Sequence, residues 1–172
     1  LSAPDSIAWL LNIRGGDLPC TPVAVAFALI KIDGSATLFT DPVKFDAVRD
    51  DLDDALSIAP WEAAETALTA AARSGPILID PKTAPIWAKR VVEDAKGAVQ
   101  PADDPCAAPK AAKNEAEIAG AQAAHRRDGA IMARFLRWLE DAAGAGDLDE
   151  VAAAAKLDSL RAEDSLFVDR SF

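Results

Sequence analysis

Residues 23–42, VAVAFALIKIDGSATLFTDP, decide the fold class. An apolar run at 23–32 meets Asp33-Gly34 and resumes as a second short run at 36–39. Asp-Gly between two apolar runs is a strong hairpin signal, because glycine takes the positive φ that a tight turn requires. Asp41-Pro42 then changes the period: aspartate caps, proline takes the first helical position, and Phe45, Val48 and Leu52 recur at helical spacing. Two strands followed by a helix open a mixed α/β fold.

Reading outward, residues 7–13, IAWLLNI, form another short apolar run and are predicted as a buried strand, giving a three-strand meander. Downstream, residues 57–59 are a strand candidate. Pro60-Trp61 opens a helix whose Trp61, Ala64, Leu68 and Ala71 share a face up to Gly75. Residues 76–79, PILI, read as a buried strand, and a helix starting at Asp80-Pro81 or Thr83 carries Ile86, Trp87 and Val91 to Gly97. Alternating strands and helices require crossover connections on a largely buried sheet. Residues 100–110, QPADDPCAAPK, hold three prolines and no apolar period, so they read as a linker. Beyond them Asn114 and Glu117 form a capping-box pattern, and Ile118, Ala121, His125, Asp128, Met132, Phe135 and Leu139 repeat at three- and four-residue spacing to Gly144. Asp147 and Glu150 offer a second cap for a shorter helix at 151–162. Two such helices want a partner for their apolar surface.

The chain has 172 residues, 51% hydrophobic and 27% charged, enough to bury a core without staples. Its formal net charge of -10 at pH 7 opposes phosphate-backbone binding, so nucleic acid is excluded as a first reading. Arg126-Arg127 is followed at once by Asp128 and reads as a solvated helix face. No run approaches the ~20 apolar residues of a membrane helix, and the N-terminus lacks a basic region followed by an apolar one. Cys20 and Cys106 are far apart and read as reduced thiols of a cytoplasmic protein. The sequence begins without methionine and in mid-pattern, as expected of a piece of a longer protein.

The loop IRGGDLPCTPV, residues 13–23, is the one stretch that invites a chemical reading. It lacks the spacing of a dinucleotide or Walker loop, and Pro19 and Pro22 remove two of the N–H groups a phosphate cradle needs. Cys20 has no base beside it in sequence. His125 is the single histidine and has no H-E-x-x-H neighbour, so a bond to a nearby carboxylate or carbonyl is the simpler reading. Asp50-Asp51-Asp53-Asp54 and Asp103-Asp104 lack the geometry of a calcium loop and read as solvated charge. Trp9, Trp61, Trp87 and Trp138 fall on apolar faces and read as core. No catalytic residue and no metal ligand is assigned within the chain.

Residues 5–30, DSIAWLLNIRGGDLPCTPVAVAFALI, resemble the opening of the middle domain of three-domain Xaa-Pro aminopeptidases (aminopeptidase P, peptidase family M24), with its D-S-[IV]-A-W-L-x-N-[IL]-R-G-x-D pattern. Residues 113–140, KNEAEIAGAQAAHRRDGAIMARFLRWLE, are similar to the first helix of that family's catalytic domain, with its K-N-x-x-E and A-H-x-x-D-G elements. Residues 146–172 resemble its second helix and the approach to its first strand. The resemblance implies a creatinase N-terminal-like (ribonuclease H-like) mixed sheet with flanking helices over 1–107, and over 108–172 the helical arm of an incomplete pita-bread domain. It implies a parent metallo-exopeptidase that releases the residue preceding proline, using two divalent metal ions, usually manganese. The family's ligands are two aspartates, one histidine and two glutamates, all placed beyond residue 172; His125 is not among them. This piece is then expected to be inactive alone, with no cofactor of its own, and to act as scaffold, substrate-access and interface region. Its partners would be proline-containing peptides, the remaining domains and a second copy in a homodimer. Arg14, Asp17 and Cys20 are the substrate-rim candidates. At position 20 many members carry histidine, a departure that bears on substrate contact there. Rival readings are a non-catalytic assembly module docking through the stripe from Ile118 to Leu139, or another pita-bread hydrolase of creatinase or prolidase-like type.

Overall fold

The computed structural model describes residues 1–144, 146 and 148–170. These divide into two compact units, residues 1–112 and the chain from Lys113 onward.

The first unit begins with a helix, α1 (Pro4–Leu10), where a strand is predicted. Its start and stop are both written in side chains that hydrophobic periodicity ignores. Pro4 stands in the first turn with Asp5 beside it, fitting the amide-rich end of a helix. At the other end Asn12 adopts φ 50°, and the Ile13 N–H reaches back to the Ala8 carbonyl at 3.1 Å. That is a left-handed stop of the Schellman kind, for which asparagine is the common alternative to glycine. The meander therefore loses its first member, and Ile7 instead packs, fully buried, from a helix.

Strand β1 (Phe27–Ile30) pairs antiparallel with β2 (Ala36–Phe39), and β2 pairs parallel with β3 (Leu56–Ala59). The hairpin turns at Gly34, φ 87°, where Asp33 Oδ1 accepts from the Ser35 N–H and hydroxyl. Between β2 and β3 the crossover is a 3₁₀ segment, Pro42–Asp51, capped by Asp41 accepting from the Val43 N–H. Its helical spacing was legible; its tighter winding was not. Ile7, Ile13, Ala24, Ala26, Ala28, Leu38 and Phe45 make the core beneath this sheet.

Helix α2 (Ala63–Ser74) leads to β4 (Ile77–Ile79), which pairs parallel with β5 (Val99–Pro101) across α3 (Ile86–Asp94). Trp61 and Trp87 flank Phe27, the first edge-on at 5.4 Å and the second stacked at 6.1 Å between centroids. Both are half-buried, whereas Trp9, also expected in the core, is 36% exposed. Residues 100–110 are not a linker. They supply the end of β5 and helix α4 (Ala107–Ala111), which lies against α1. The Asp80 carboxylate accepts from the Asp104 N–H, and Asp104 in turn accepts from the Cys106 N–H. Lys110 pairs with Asp5. Of the three prolines, Pro101 ends β5, Pro105 stands in the turn after it and Pro109 lies within α4.

The second unit pairs α5 (Glu115–Ala143) with α6 (Glu150–Arg161). The capping box at Asn114 and Glu117 forms in full. The cap of α6 is Asp149, accepting from the Ala152 N–H; Asp147 lies outside the described residues. Along the stripe of α5, Ile118, Ala121 and His125 are exposed, whereas Asp128, Met132, Phe135 and Leu139 are half-buried. Phe135 and Trp138 stack at 5.8 Å, and Lys156 of α6 lies over the Trp138 ring. Arg161 grips Asp128 with two bonds, 2.7 and 3.0 Å.

Candidate functional site

The loop after α1 is held by its own polar side chains. Arg14 turns back: its Nη1 donates to the carbonyls of Ala8 at 3.0 Å and Ile13 at 2.8 Å. A guanidinium on the last turn of a helix satisfies carbonyls that the helix leaves orphaned and suits the negative end of its dipole. Arg14 is an exposed residue, and its Nη2 and Nε make no hydrogen bond among the described residues.

Asp17 closes the loop. Its backbone N–H donates to the Val23 carbonyl, and its Oδ2 accepts from the Val25 N–H at 2.7 Å. The same oxygen accepts from Lys44 Nζ of the 3₁₀ segment at 2.6 Å. The Lys44 hydrogen bond, helped by Val25, holds this carboxyl below the usual aspartate range. Lys44 is the residue that sequence reading missed. The available signal was weak: one lysine just after the Asp41-Pro42 cap.

Cys20 sits at the far tip. The Thr21 N–H returns to the Leu18 carbonyl, with Pro19 and Cys20 as the central pair of the turn. Cys20 has φ 60°, so the thiol occupies the position where such turns favour glycine or asparagine. Gly15 explains the other constraint of the loop: a Cβ there would lie 2.8 Å from the Ala24 backbone nitrogen. The glycine permits backbone contact; it frames no phosphate.

Arg14, Asp17 and Lys44 line a cleft of about 1090 Å³ whose other wall includes Phe45, Asp51 and Asp53. Cys20 is not among its lining residues. The structure thus brings two of the three rim candidates to one cleft. The cleft holds charge of both signs but no nucleophile paired with a base. Among the described residues no group of three or more His, Cys, Asp or Glu side chains could hold a metal ion. The donor set of the described residues does not fit a two-metal centre.

Residues 1–117 match the creatinase/prolidase N-terminal domain. The chain belongs to that family. This creatinase/prolidase N-terminal domain, with the helices that follow it, is homologous to Xaa-Pro aminopeptidases P. The probable Xaa-Pro aminopeptidase P of Pyricularia oryzae is 34% identical over all of this chain, and the chain covers 30% of it. That of Aspergillus clavatus is 36% identical over all of this chain, which covers 28% of it. The crystal structure of an X-prolyl aminopeptidase from Caenorhabditis elegans, described as a cytosolic enzyme with a di-nuclear active site, superimposes with a TM-score of 0.85 at 26% identity. That match covers 98% of this chain and 29% of the nematode enzyme. The chain therefore spans less than a third of its relatives' length.

Proposed function

We propose that this chain is the scaffold and substrate-access part of a longer metal-dependent aminopeptidase that releases the N-terminal residue from peptides with proline in second position. The observation that carries this reading is similarity along the whole chain, 100% of it against aminopeptidases P. A family resemblance confined to residues 1–117 would fit any creatinase-like hydrolase; the continued match through α5 and α6 favours the aminopeptidase.

In this reading residues 108–172 are the leading helices of the pita-bread catalytic domain. The two-metal centre, with manganese as its metal, is assigned to polypeptide outside this chain. The enzyme is cytoplasmic and dimeric. Arg14 and Asp17 shape the cleft mouth, with the two free nitrogens of Arg14 offered to peptide carbonyls. Cys20, at the tip of its turn, is the third rim residue.

The test is an assay of the full-length protein on Xaa-Pro-Xaa peptides and on Xaa-Pro dipeptides, with and without manganese. Manganese-stimulated cleavage of the longer peptides is expected, with none from the 172-residue chain alone. Cleavage restricted to dipeptides would make the protein prolidase-like. Activity of the isolated chain would overturn the scaffold reading.

A further inference from the structure

The cleft lined by Arg14 has two walls that the chain builds separately. One is the loop after α1, from Asn12 to Asp17; the other is the 3₁₀ segment Pro42–Asp51, with Asp53 beyond it. Each wall is fixed from its own side. Arg14 anchors the loop to the end of α1, and the Asp17 N–H joins it to the approach of β1 through the Val23 carbonyl. The 3₁₀ segment starts at its Asp41 cap and sinks Phe45, 4% exposed, into the core. From wall to wall the described residues make one hydrogen bond, Lys44 Nζ to Asp17 Oδ2 at 2.6 Å.

Lys44 owes its place to its neighbour. Consecutive side chains of a 3₁₀ helix stand about 120° apart, so the buried Phe45 holds Lys44 at the edge of the core, within reach of the loop. Asp17 Oδ2 takes two donors of different origin: the Val25 N–H closes the loop on itself, and Lys44 binds it to the other wall. Without the lysine the loop keeps its own closure and loses only its tie to the 3₁₀ segment. The side chains of this pair are 34% and 23% exposed, whereas both members of Arg49–Asp46, Lys82–Asp103 and Lys89–Glu93 are at least half exposed. Water and salt screen the Lys44 pair less, so it holds a geometry that open surface pairs do not.

We propose that Lys44 is a positioning residue: acting through Asp17, it sets the spacing between the rim loop and the 3₁₀ segment, and so the opening through which a peptide reaches Arg14. The inference rests on the substrate-access reading above and adds to it a residue that acts at one remove from the substrate. A looser opening weakens ground-state and transition-state binding alike, so its effect falls on KM and spares kcat.

Steady-state kinetics on an Xaa-Pro-Xaa peptide and hydrogen exchange, both on the full-length protein, test it. Lys44→Met should raise KM about fivefold, the scale of one partly covered ion pair, with kcat kept within about twofold. The Val25 amide should exchange about fivefold faster, because its acceptor is no longer pinned. Lys44→Arg should restore both. Asp17→Asn keeps an acceptor for Val25 and changes net charge in the opposite sense; it should match Lys44→Met, and it serves if the lysine variant does not fold. The double variant should add nothing to either. Lys89→Met removes the same charge as Lys44→Met from an exposed pair that does not line the cleft, and it should leave KM and exchange unchanged. With an active unmutated enzyme, unaltered KM or unaltered Val25 exchange in both single variants overturns the proposal and leaves the aminopeptidase reading standing. So does a KM shift that Lys89→Met reproduces, or effects of Lys44→Met and Asp17→Asn that simply add. An unmutated enzyme inactive on these peptides overturns the substrate-access reading itself, and the proposal with it.

Discussion

At Arg14, one side chain settles how a loop is built. Replacing it with alanine takes the side-chain donor from the Ile13 carbonyl, leaves the Ala8 carbonyl with the Ile13 N–H alone, and removes a cation from the end of α1. A loss of about 1–2 kcal/mol in thermal or urea unfolding is expected. Lysine should recover part of this, since a point charge cannot bridge two carbonyls as a planar guanidinium does. In the full-length enzyme Arg14→Ala should raise KM more than it lowers kcat if its free nitrogens meet substrate; equal stability loss with unchanged KM would confine it to the helix end. Gly15→Ala should cost about 2–3 kcal/mol, because the new Cβ meets backbone rather than a side chain that can swing away. Denaturant midpoints of the two variants measure both. Arg14 was legible as a strongly polar residue at an element's end. Its partners were not, because carbonyl acceptors leave no mark in a sequence.

For the elements, legibility followed capping chemistry. Asp41-Pro42 and Asn114 with Glu117 each announce a helix in side-chain donors and acceptors, and each forms. Residues 7–13 misled because a short apolar run fits a buried strand or a buried helix equally well; Pro4, Asp5 and Asn12 carried the deciding signal. The α5–α6 pair rests on few apolar contacts, with Leu160 the only residue of its two helices that is buried. Charge pairing then matters more. Asp128 is held below its usual range by the Arg161 hydrogen bonds. A lowered folded pKa means that its contribution is complete above the unfolded aspartate range, about pH 4, and is lost as pH falls through the folded value. Acid titration of helicity should therefore show Asp128→Asn already weakened at pH 7 and flatter than the parent below pH 4. Both side chains are about a third or more exposed, so a double-mutant cycle with Arg161→Met should return a coupling of about 0.5–1 kcal/mol.

The whole molecule divides at a place that composition alone obscures. Three prolines in residues 100–110 suggest a linker, yet Asp104 is nearly buried and Cys106 is 4% exposed. Burial followed by the neighbouring Asp104 carboxylate pushes the Cys106 thiol up, which keeps it unreactive. The clustering of contacts instead changes after Ala112. Unit 113–172 expressed alone should be only marginally helical by circular dichroism, well short of the helix content it has here, since isolated helices draw most of their stability from packing. The family itself was legible, in the DSIAWLLNIRGGD block and the AHRRDG element. The sheet edges were not, because they depend on pairing partners distant in sequence.

The hairpin turn at Gly34 also sets a schedule. β2 has one neighbour reached through a tight local turn and another reached only across residues 40–55. A hairpin closes in about 1–10 μs, whereas synthesis adds roughly 5–20 residues per second. On the ribosome, β1 and β2 therefore meet before β3 emerges, and their hairpin, marginal by itself, gains its parallel third member only once residues 56–59 follow.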